Sequence, residues 1–366
     1  MTQGVTLSQN RICFLTDSID GGGIGTVFLA LAGEMQSMGH RVDIVVFTSP
    51  TCEVPGDINV VNLARRTRKV MFKLTRFLRT AKPDVIICAR DYVGAIAVVA
   101  RALSGQRHTK LIWSFHTQHS VDTQNSSLRR RAVAKLSSIM ARFADHFVGV
   151  SQGVSKDLEA AYHLPTNSVQ TIYNPVVLPQ VTTQTAHPWL AQTEVPVIVA
   201  CGRLVEQKGF DVLISAIKIL HRARPVKLLI LGEGPLRAQL SAQIDAAGLQ
   251  DHVSLLGQVD HPAIYMKDAA CFVVSSHWEG FGMVIAEAMA VGCPVVSTTC
   301  PSGPSEILDH GAFGTLVPVG DSVAMAQAIN DTLDAPFDPI SAQNSLARFD
   351  PKEIARQYLE LKAPRL

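Results

Sequence analysis

The sequence predicts an α/β protein of two doubly wound, Rossmann-like domains with a central cleft between them. The chain has 366 residues, which is too long for one ordinary hydrophobic core. Short apolar runs rich in valine and isoleucine alternate with helical stretches, a pattern typical of parallel strands that helices cover on both faces. This alternation stops at residues 172–196, a stretch with four prolines that we interpret as a linker, and then starts again.

The apolar runs place the strands of each domain. In the first domain, residues 1–177, we expect strands at 11–16, 42–47, 85–88, 111–115 and 146–150, with helices that include 25–38 and 129–143. In the second domain, residues 178–345, we expect strands at 197–201, 227–231, 253–256, 271–275, 295–298 and 314–317. The remaining segment, residues 346–366, carries an amphipathic helix at about 351–361. Its apolar face is expected to pack on another element, and the first domain is the candidate.

The composition excludes several classes of protein. Hydrophobic residues make up 47% of the chain, charged residues make up 17%, and the net charge of +2 selects no polyanionic partner such as a nucleic acid. The seven cysteines show no CxxC pair and no metal-binding spacing with histidine, so we expect free, buried thiols and no metal site. The N-terminus has no apolar leader and no run is long enough to span a membrane. The prediction is therefore a cytoplasmic protein, with peripheral contact on the inner face of the cell membrane as the alternative.

Two segments of the first domain are candidate binding sites. DGGGIGT, residues 20–26, follows the first strand and opens a helix, so Gly22 and Gly23 would let an anionic ligand approach the backbone. It lacks the GxGxxG spacing of nicotinamide-binding proteins, and a tight strand-to-helix turn explains it at least as well. His116 follows the strand at 111–115 and would point into the cleft, although a lone histidine is more often a surface or core residue.

The second domain opens with GRLVEQKGF, residues 202–210. Arg203 lies at the carboxyl end of a strand and Lys208 lies just before a helix, and two cations in such a loop suit a diphosphate. The GK[ST] ending of a P-loop is missing, and a pair of solvated charges remains the alternative.

EGFGMVIAE, residues 279–287, is more informative, because two glutamates bracket the start of a helix. Glu279 lies in the loop after the strand at 271–275, whereas Glu287 lies on the helix, one turn after Met283. The glycines between them free backbone N–H groups to face an anion, and carboxylates accept hydrogen bonds from hydroxyl groups. The helix is otherwise almost wholly apolar, so Glu287 would have no partner without a ligand. The segment therefore predicts a ligand with both phosphate and hydroxyl groups.

Two further segments each allow a functional and a purely structural interpretation. CPSGPSEIL, residues 300–308, would add a second anion site lined by N–H groups, or it would simply cap a short helix. Residues 65–82 carry eight arginines or lysines and no acid, with Val70, Leu74, Phe77 and Leu78 at helical spacing on one face. Such a helix could lie on an anionic membrane, or it could be an ordinary helix that covers the sheet.

Taken together, GRLVEQKGF, EGFGMVIAEAMAVGCPVV and FGTLVPVGD resemble the retaining nucleotide-sugar glycosyltransferases of family 4, which have the GT-B fold. The resemblance also covers the glycine loop, His116, VSQGVSKDL and IYNPV in the same order, and so nearly the whole chain. Many relatives have GG before the EI element, where this chain has CPSGPSEIL. That variant resembles enzymes that build lipid-linked or surface polysaccharides, often from hexose or N-acetylhexosamine donors.

The resemblance implies roles for individual residues and no cofactor other than the nucleotide-sugar substrate. It implies that Arg203 and Lys208 hold the donor diphosphate, that Glu287 binds the ribose and that Glu279 contacts the transferred sugar. It also implies that His116 faces that sugar and that the sugar and the phosphates contact the backbone of Phe281, Gly282 and Met283. Gly22 and Gly23 would lie near the phosphates or the acceptor.

The implied reaction is glycosyl transfer with retention and without a metal, to a lipid-linked or polysaccharide acceptor, with a UDP-hexose or UDP-N-acetylhexosamine as donor. The catalytic residues that the resemblance implies are Arg203, Lys208, His116 and Glu279. Two alternatives stay open: a non-hydrolysing nucleotide-sugar epimerase of the same architecture, and a non-catalytic subunit that binds nucleotide sugars.

Overall fold

The chain divides into two compact units in the computed structural model. Unit 1 is Met1–Pro175 with Phe349–Leu366, and unit 2 is Val176–Arg348. The structure describes residues 9–20, 22–54, 56, 58–63, 67–124, 128–179, 181, 186–191 and 194–361. Residue 21 of the glycine loop and residues 65 and 66 of the basic segment lie outside these ranges.

The described strands of unit 1 form one parallel sheet with the order β3-β2-β1-β4-β5-β6-β7. They are β1 (Arg11–Thr16), β2 (Arg41–Val46), β3 (Asn59–Asn62), β4 (Val85–Ala89), β5 (Lys110–Phe115), β6 (His146–Gly149) and β7 (Val169–Thr171). The helices are α1 (Gly23–Ser37), α2 (Thr67–Ala81), α3 (Asp91–Ser104), α4 (His119–Gln124), α5 (Leu128–Ala141) and α6 (Gln152–Tyr162). The central strands β1 and β4 are buried except for their first residues, as the unbroken apolar runs predict.

In unit 2 the described strands also form one parallel sheet, with the order β10-β9-β8-β11-β12-β13. They are β8 (Val197–Cys201), β9 (Lys227–Leu231), β10 (Val253–Gly257), β11 (Cys271–Val274), β12 (Val295–Thr298) and β13 (Thr315–Val317). The helices up to the return to unit 1 are α7 (Phe210–His221), α8 (Arg237–Ala247), α9 (Ala263–Met266), α10 (Met283–Ala290), α11 (Pro304–Ile307), α12 (Ser322–Asp334) and α13 (Pro339–Ser345). In both sheets the order changes direction beside the first strand, which is the doubly wound pattern.

The final helix, α14 (Pro351–Leu359), belongs to unit 1. Asp350 caps it by accepting a hydrogen bond from the backbone N–H of Glu353 at 3.0 Å. Ile354, Tyr358 and Leu361 are buried in the same hydrophobic core as Phe28 of α1. The amphipathic pattern of this segment is therefore explained by packing on unit 1.

The predicted pair of parallel sheets is confirmed, and every strand that the sequence predicts is present within one or two residues of its expected ends. Two edge strands, β3 and β7, were missed. Each is only three or four residues long and has at most two apolar residues, so neither produces an apolar run. The seven cysteines are all free thiols within the described chain, and burial of Cys13 and Cys88 raises their pKa values.

Most of the basic segment forms helix α2, whose apolar face packs on unit 1. Val70, Leu74 and Leu78 are buried in unit 1, so the apolar face that would enter a membrane is occupied by packing instead. The cations Lys73 and Arg76 lie on the exposed side. No helix among the described residues is both long and apolar enough to cross a bilayer.

Candidate active site

Three loops meet at the carboxyl ends of β8, β11 and β12, which are neighbours in the sheet of unit 2. After β8 the chain makes a 3-10 turn at Glu206–Lys208 and then adopts a φ of +57° at Gly209. A Cβ at Gly209 would lie 2.2 Å from the carbonyl oxygen of Ser275, so only glycine fits there. The Ser275 hydroxyl donates to the carbonyl of Lys208 at 2.8 Å, and the Gln207 amide donates to that of Trp278 at 2.9 Å. These bonds set the position of Lys208 relative to the β11 loop.

Lys208 forms a direct ion pair with Glu279 in this loop. The Lys208 Nζ lies 2.6 Å from Oε1 of Glu279, and the Ser276 hydroxyl donates to the same oxygen at 2.6 Å. Glu279 is 5% exposed, so the pair is largely removed from water. The sequence assigned the two residues to different parts of a ligand, and their pairing was not predicted.

The start of α10 is shaped by two glycines. Gly282 precedes the helix with a φ of +96°, and the N–H groups of Met283 and Val284 find no acceptor within the described chain. Gly303 has a φ of +82°, and a Cβ there would lie 2.0 Å from the carbonyl oxygen of Phe281. The neighbouring Ser302 hydroxyl donates to the Glu279 carbonyl. The segment at 300–303 therefore supports the loop that leads into α10.

Glu287 lies on α10 one turn further along and is partly buried. Burial raises the pKa of its carboxyl group. Its side chain makes no hydrogen bond or ion pair with any described residue. Its charge adds to burial in raising the pKa of Cys201, at the end of β8, to about 12, so Glu287 lies near that strand end. A partly buried carboxylate without donors is open to the hydroxyl groups of a ligand.

Arg203 completes the set in unit 2. Its side chain is exposed, and it makes no ion pair with the described part of the chain. The guanidinium is therefore available to an anion. In the segment at 300–308, the Gly303 N–H donates to Glu306 at 3.5 Å, as expected for a helix cap.

In unit 1, the glycine turn follows β1. Gly22 has a φ of +83° and precedes α1, and a Cβ on Gly22 or Gly23 would meet open space. At Gly25, by contrast, a Cβ would lie 2.2 Å from the carbonyl oxygen of Ile19. The glycine required by packing is thus Gly25, whereas Gly22 is required by its φ and Gly23 leaves room for a ligand.

His116 follows β5 and is half-buried. Its Nε2 lies 3.1 Å from the Ser114 hydroxyl, which lies 3.1 Å from the hydroxyl of Tyr358 on α14. Phe28 packs against the ring at a centroid distance of 6.0 Å. Burial, with a smaller contribution from the charge of Arg90, lowers the pKa of His116 to about 3. The imidazole is therefore neutral at physiological pH and suited to hydrogen bonding.

A polar cluster that the sequence did not predict lies at the ends of β1 and β4. Asp17 pairs with Nε of Arg90 at 2.8 Å and accepts a hydrogen bond from the Tyr92 hydroxyl at 2.8 Å. Arg90 has a φ of +72°, although it is not a glycine. Asp17, Arg90 and Tyr92 belong to no sequence motif, so the cluster becomes visible only in the folded structure. No group of three or more potential metal ligands occurs in the described part of the protein.

Comparison with known proteins places the chain in a family. A family model described as Glycosyltransferase Family 4 matches residues 21–179, and one described as Glycosyl transferases group 1 matches residues 183–350. Together the two models cover most of both units. The chain therefore belongs to the glycosyltransferases of the GT-B type.

Several relatives and structures are similar to the chain. An uncharacterized glycosyltransferase of Methanocaldococcus jannaschii is 30% identical over 66% of this chain, a match that spans 61% of that protein, less than two thirds of it. The N-acetylgalactosamine-N,N'-diacetylbacillosaminyl-diphospho-undecaprenol 4-alpha-N-acetylgalactosaminyltransferase of Campylobacter jejuni is 29% identical over 72% of each chain. The crystal structure of Anabaena HepE with UDP superposes with a TM-score of 0.79 and 23% identity, covering 96% of this chain and 98% of that one. This last likeness concerns the fold.

Proposed function

We propose that the protein transfers a hexose or an N-acetylhexosamine from a nucleoside diphosphate donor, expected to be UDP, to a lipid-linked or polysaccharide acceptor in surface-glycan synthesis. One observation carries this proposal: complementary groups for a diphosphate and for sugar hydroxyls converge at adjacent strand ends of unit 2. They are Arg203, the Lys208–Glu279 pair, the N-terminus of α10 and Glu287.

The chemistry of these groups suits the departure of a nucleoside diphosphate. Negative charge develops on the diphosphate as its bond to the anomeric carbon breaks. Arg203, Lys208 and the free N–H groups of α10 would stabilise that charge without rearranging at the moment of reaction. Glu287 would accept hydrogen bonds from the ribose, and Glu279 from the transferred sugar.

We further propose retention of configuration, as the resemblance to family 4 implies. The acceptor oxygen would bond to the anomeric carbon on the face that the diphosphate leaves, and a phosphate oxygen would take the acceptor proton. Two donors already occupy one oxygen of Glu279. This engagement favours a positioning role over that of a glycosidase-like nucleophile. No step requires a metal, so EDTA is expected to leave the rate unchanged.

A lipid-linked acceptor is supported by two observations. The Campylobacter relative is named for a diphospho-undecaprenol acceptor. In unit 1, the exposed apolar side chains Phe72, Leu103, Leu136, Ile139 and Phe143, which we call the outer apolar set, lie on or next to helices α2, α3 and α5. Arg79 of α2 donates to the carbonyl of Leu103 at 2.7 Å, and Arg101 of α3 donates to the carbonyl of Phe143 just after α5, so the three helices are in contact. Apolar side chains among the exposed cations of α2 fit an anionic bilayer surface.

Membrane contact can be tested with vesicles. Leu136→Ser with Ile139→Ser should weaken co-sedimentation with vesicles of phosphatidylglycerol and phosphatidylcholine, and high salt should weaken it further. The matched control is Val323→Ser with Ile340→Ser, which changes two apolar residues of unit 2 that are at least as exposed as Leu136 and Ile139. Equal sedimentation of both double variants would contradict contact through the outer apolar set.

Transfer itself is tested with radiolabelled UDP-sugars and a prenyl diphosphate-linked acceptor. Glu279→Gln should lower turnover far more than it weakens donor binding, and unchanged turnover would contradict the role given to Glu279. The epimerase alternative predicts interconversion of UDP-sugars without any acceptor, so product analysis of that control separates the two functions.

A further inference from the structure

The Asp17–Arg90–Tyr92 cluster lies at the topological switch point of the unit 1 sheet. Asp17 directly follows β1 and Arg90 directly follows β4, and these strands are neighbours where the strand order changes direction. In doubly wound sheets, ligands bind outside the carboxyl ends of the strands at this point. The cluster therefore lies where a substrate of unit 1 is expected.

Asp17 acts as a support for Arg90. Its Oδ1 accepts hydrogen bonds from the Ser18 N–H at 3.0 Å and the Thr16 hydroxyl at 3.3 Å, in addition to its contact with Nε of Arg90 at 2.8 Å. Its Oδ2 accepts from the Tyr92 hydroxyl at 2.8 Å. Both carboxylate oxygens are thus occupied, so Asp17 orients Arg90 and has little capacity left for a ligand.

Arg90 has a strained backbone conformation that would be unstrained for a glycine. Its φ of +72° and ψ of 145° belong to a region that is nearly restricted to glycine. The carbonyl of Arg90 is held by the indole N–H of Trp113 at 3.3 Å and by the N–H of Gly94 at 3.1 Å. An arginine at a position whose backbone conformation suits glycine is energetically costly, which points to a functional use of its guanidinium.

The terminal nitrogens of Arg90 are the free part of the cluster. Nε lies 2.8 Å from Asp17, the side chain is 49% exposed, and the two terminal NH2 groups make no hydrogen bond with any described residue. An oriented guanidinium with two free NH2 groups matches a phosphate oxygen pair in bidentate geometry. We propose that Arg90, held by Asp17 and Tyr92, is a binding site for the diphosphate of a lipid-linked acceptor.

This inference rests on the proposed function for the identity of the acceptor, but its test does not require turnover. Farnesyl diphosphate, the probe, is titrated calorimetrically into the protein with UDP present to occupy the site in unit 2. Arg90→Gly removes the guanidinium and suits the observed backbone, so the variant should remain folded. We expect binding at least about tenfold weaker in Arg90→Gly, the scale of one charge-assisted bidentate contact. Farnesol, which lacks phosphate, should bind both proteins alike.

The matched control is Arg107→Ala, which removes another exposed arginine of unit 1 and should bind farnesyl diphosphate like the unaltered protein. Equal affinity of Arg90→Gly and the unaltered protein would overturn the inference. A second arm distinguishes the two sources of diphosphate. If UDP affinity instead falls in Arg90→Gly, the anion is that of the donor and the acceptor site is wrong. If UDP fails to bind the unaltered protein, the proposed function fails, while the comparison with farnesyl diphosphate still decides the role of Arg90.

Discussion

Lys208 and Glu279, which are 71 residues apart in the chain, form a nearly buried ion pair with 2.6 Å between Nζ and Oε1. The Lys208 side chain is 19% exposed and that of Glu279 is 7% exposed. A pair of this kind adds little net stability when it is intact, because both charges lose hydration. Breaking it leaves one charge buried without its counter-charge. The pair therefore couples the stability of unit 2 to its proposed chemistry.

The first prediction follows from this coupling. Lys208→Ala should lower the free energy of unfolding by about 3 kcal/mol, because it leaves the buried Glu279 side chain without its ion-pair partner. Chemical denaturation measures the change. The control is Arg237→Ala, which breaks the exposed Arg237–Glu233 pair and should cost less than about 1 kcal/mol. Equal losses in the two variants would show that the Lys208–Glu279 pair is not effectively buried.

The second prediction concerns Glu287 and pH. Burial raises the pKa of its carboxyl group, and hydroxyl donors of a ligand would stabilise the ionised form. UDP binding should therefore weaken as the pH falls toward this raised pKa, as calorimetry at pH 7.5 and at pH 5 would show. In Glu287→Ala the affinity should be lower at both pH values, and the part of the pH dependence due to Glu287 should be lost. A pH dependence identical to that of the unaltered protein would exclude Glu287 from the site.

The third prediction separates the glycines after β1. Gly25→Ala should destabilise the protein by about 1–3 kcal/mol, because the new Cβ would overlap the carbonyl oxygen of Ile19. Gly23→Ala places a methyl group in open space and should change stability by less than about 0.5 kcal/mol. If a substrate approaches this turn, Gly23→Ala should nevertheless lower kcat/KM. Unchanged kinetics in a stable Gly23→Ala variant would remove Gly23 from the binding surface.

The fourth prediction concerns His116 and acid stability. In the unfolded chain a histidine titrates near pH 6.5, whereas burial lowers the pKa of His116 to about 3 in the folded protein. Between these values the unfolded state binds the additional proton, so the stability contribution is present above pH 6.5 and falls as the pH drops toward 3. His116→Asn should make the loss of stability between pH 7 and pH 5 less steep. The free energy of unfolding at each pH is measured by urea denaturation. If its dependence on pH is the same in His116→Asn as in the unaltered protein, His116 is protonated alike in both states.

The sequence predicts the two sheets well because strands buried on both faces need long apolar runs, as in β1, β4 and β8. The loop chemistry is harder to predict. The partner of Glu279 lies on another loop, and the Tyr358 hydroxyl reaches Ser114 from a helix 244 residues away. Arg90 is not part of any motif, and its role depends on a backbone conformation that the chemistry of arginine does not predict. Only the folded chain brings these groups together.

The central claim, that unit 2 binds a nucleoside diphosphate sugar, is tested most directly by a thermal-shift panel of UDP, GDP, ADP and their sugars without metal. A ligand that binds only the folded state at a hundredfold its Kd adds about 2.7 kcal/mol of stability. We predict a clear rise in Tm with the uridine ligands, and its loss in Arg203→Ala and in Glu287→Ala. No rise with any nucleotide, or a rise that both variants keep, would contradict the site.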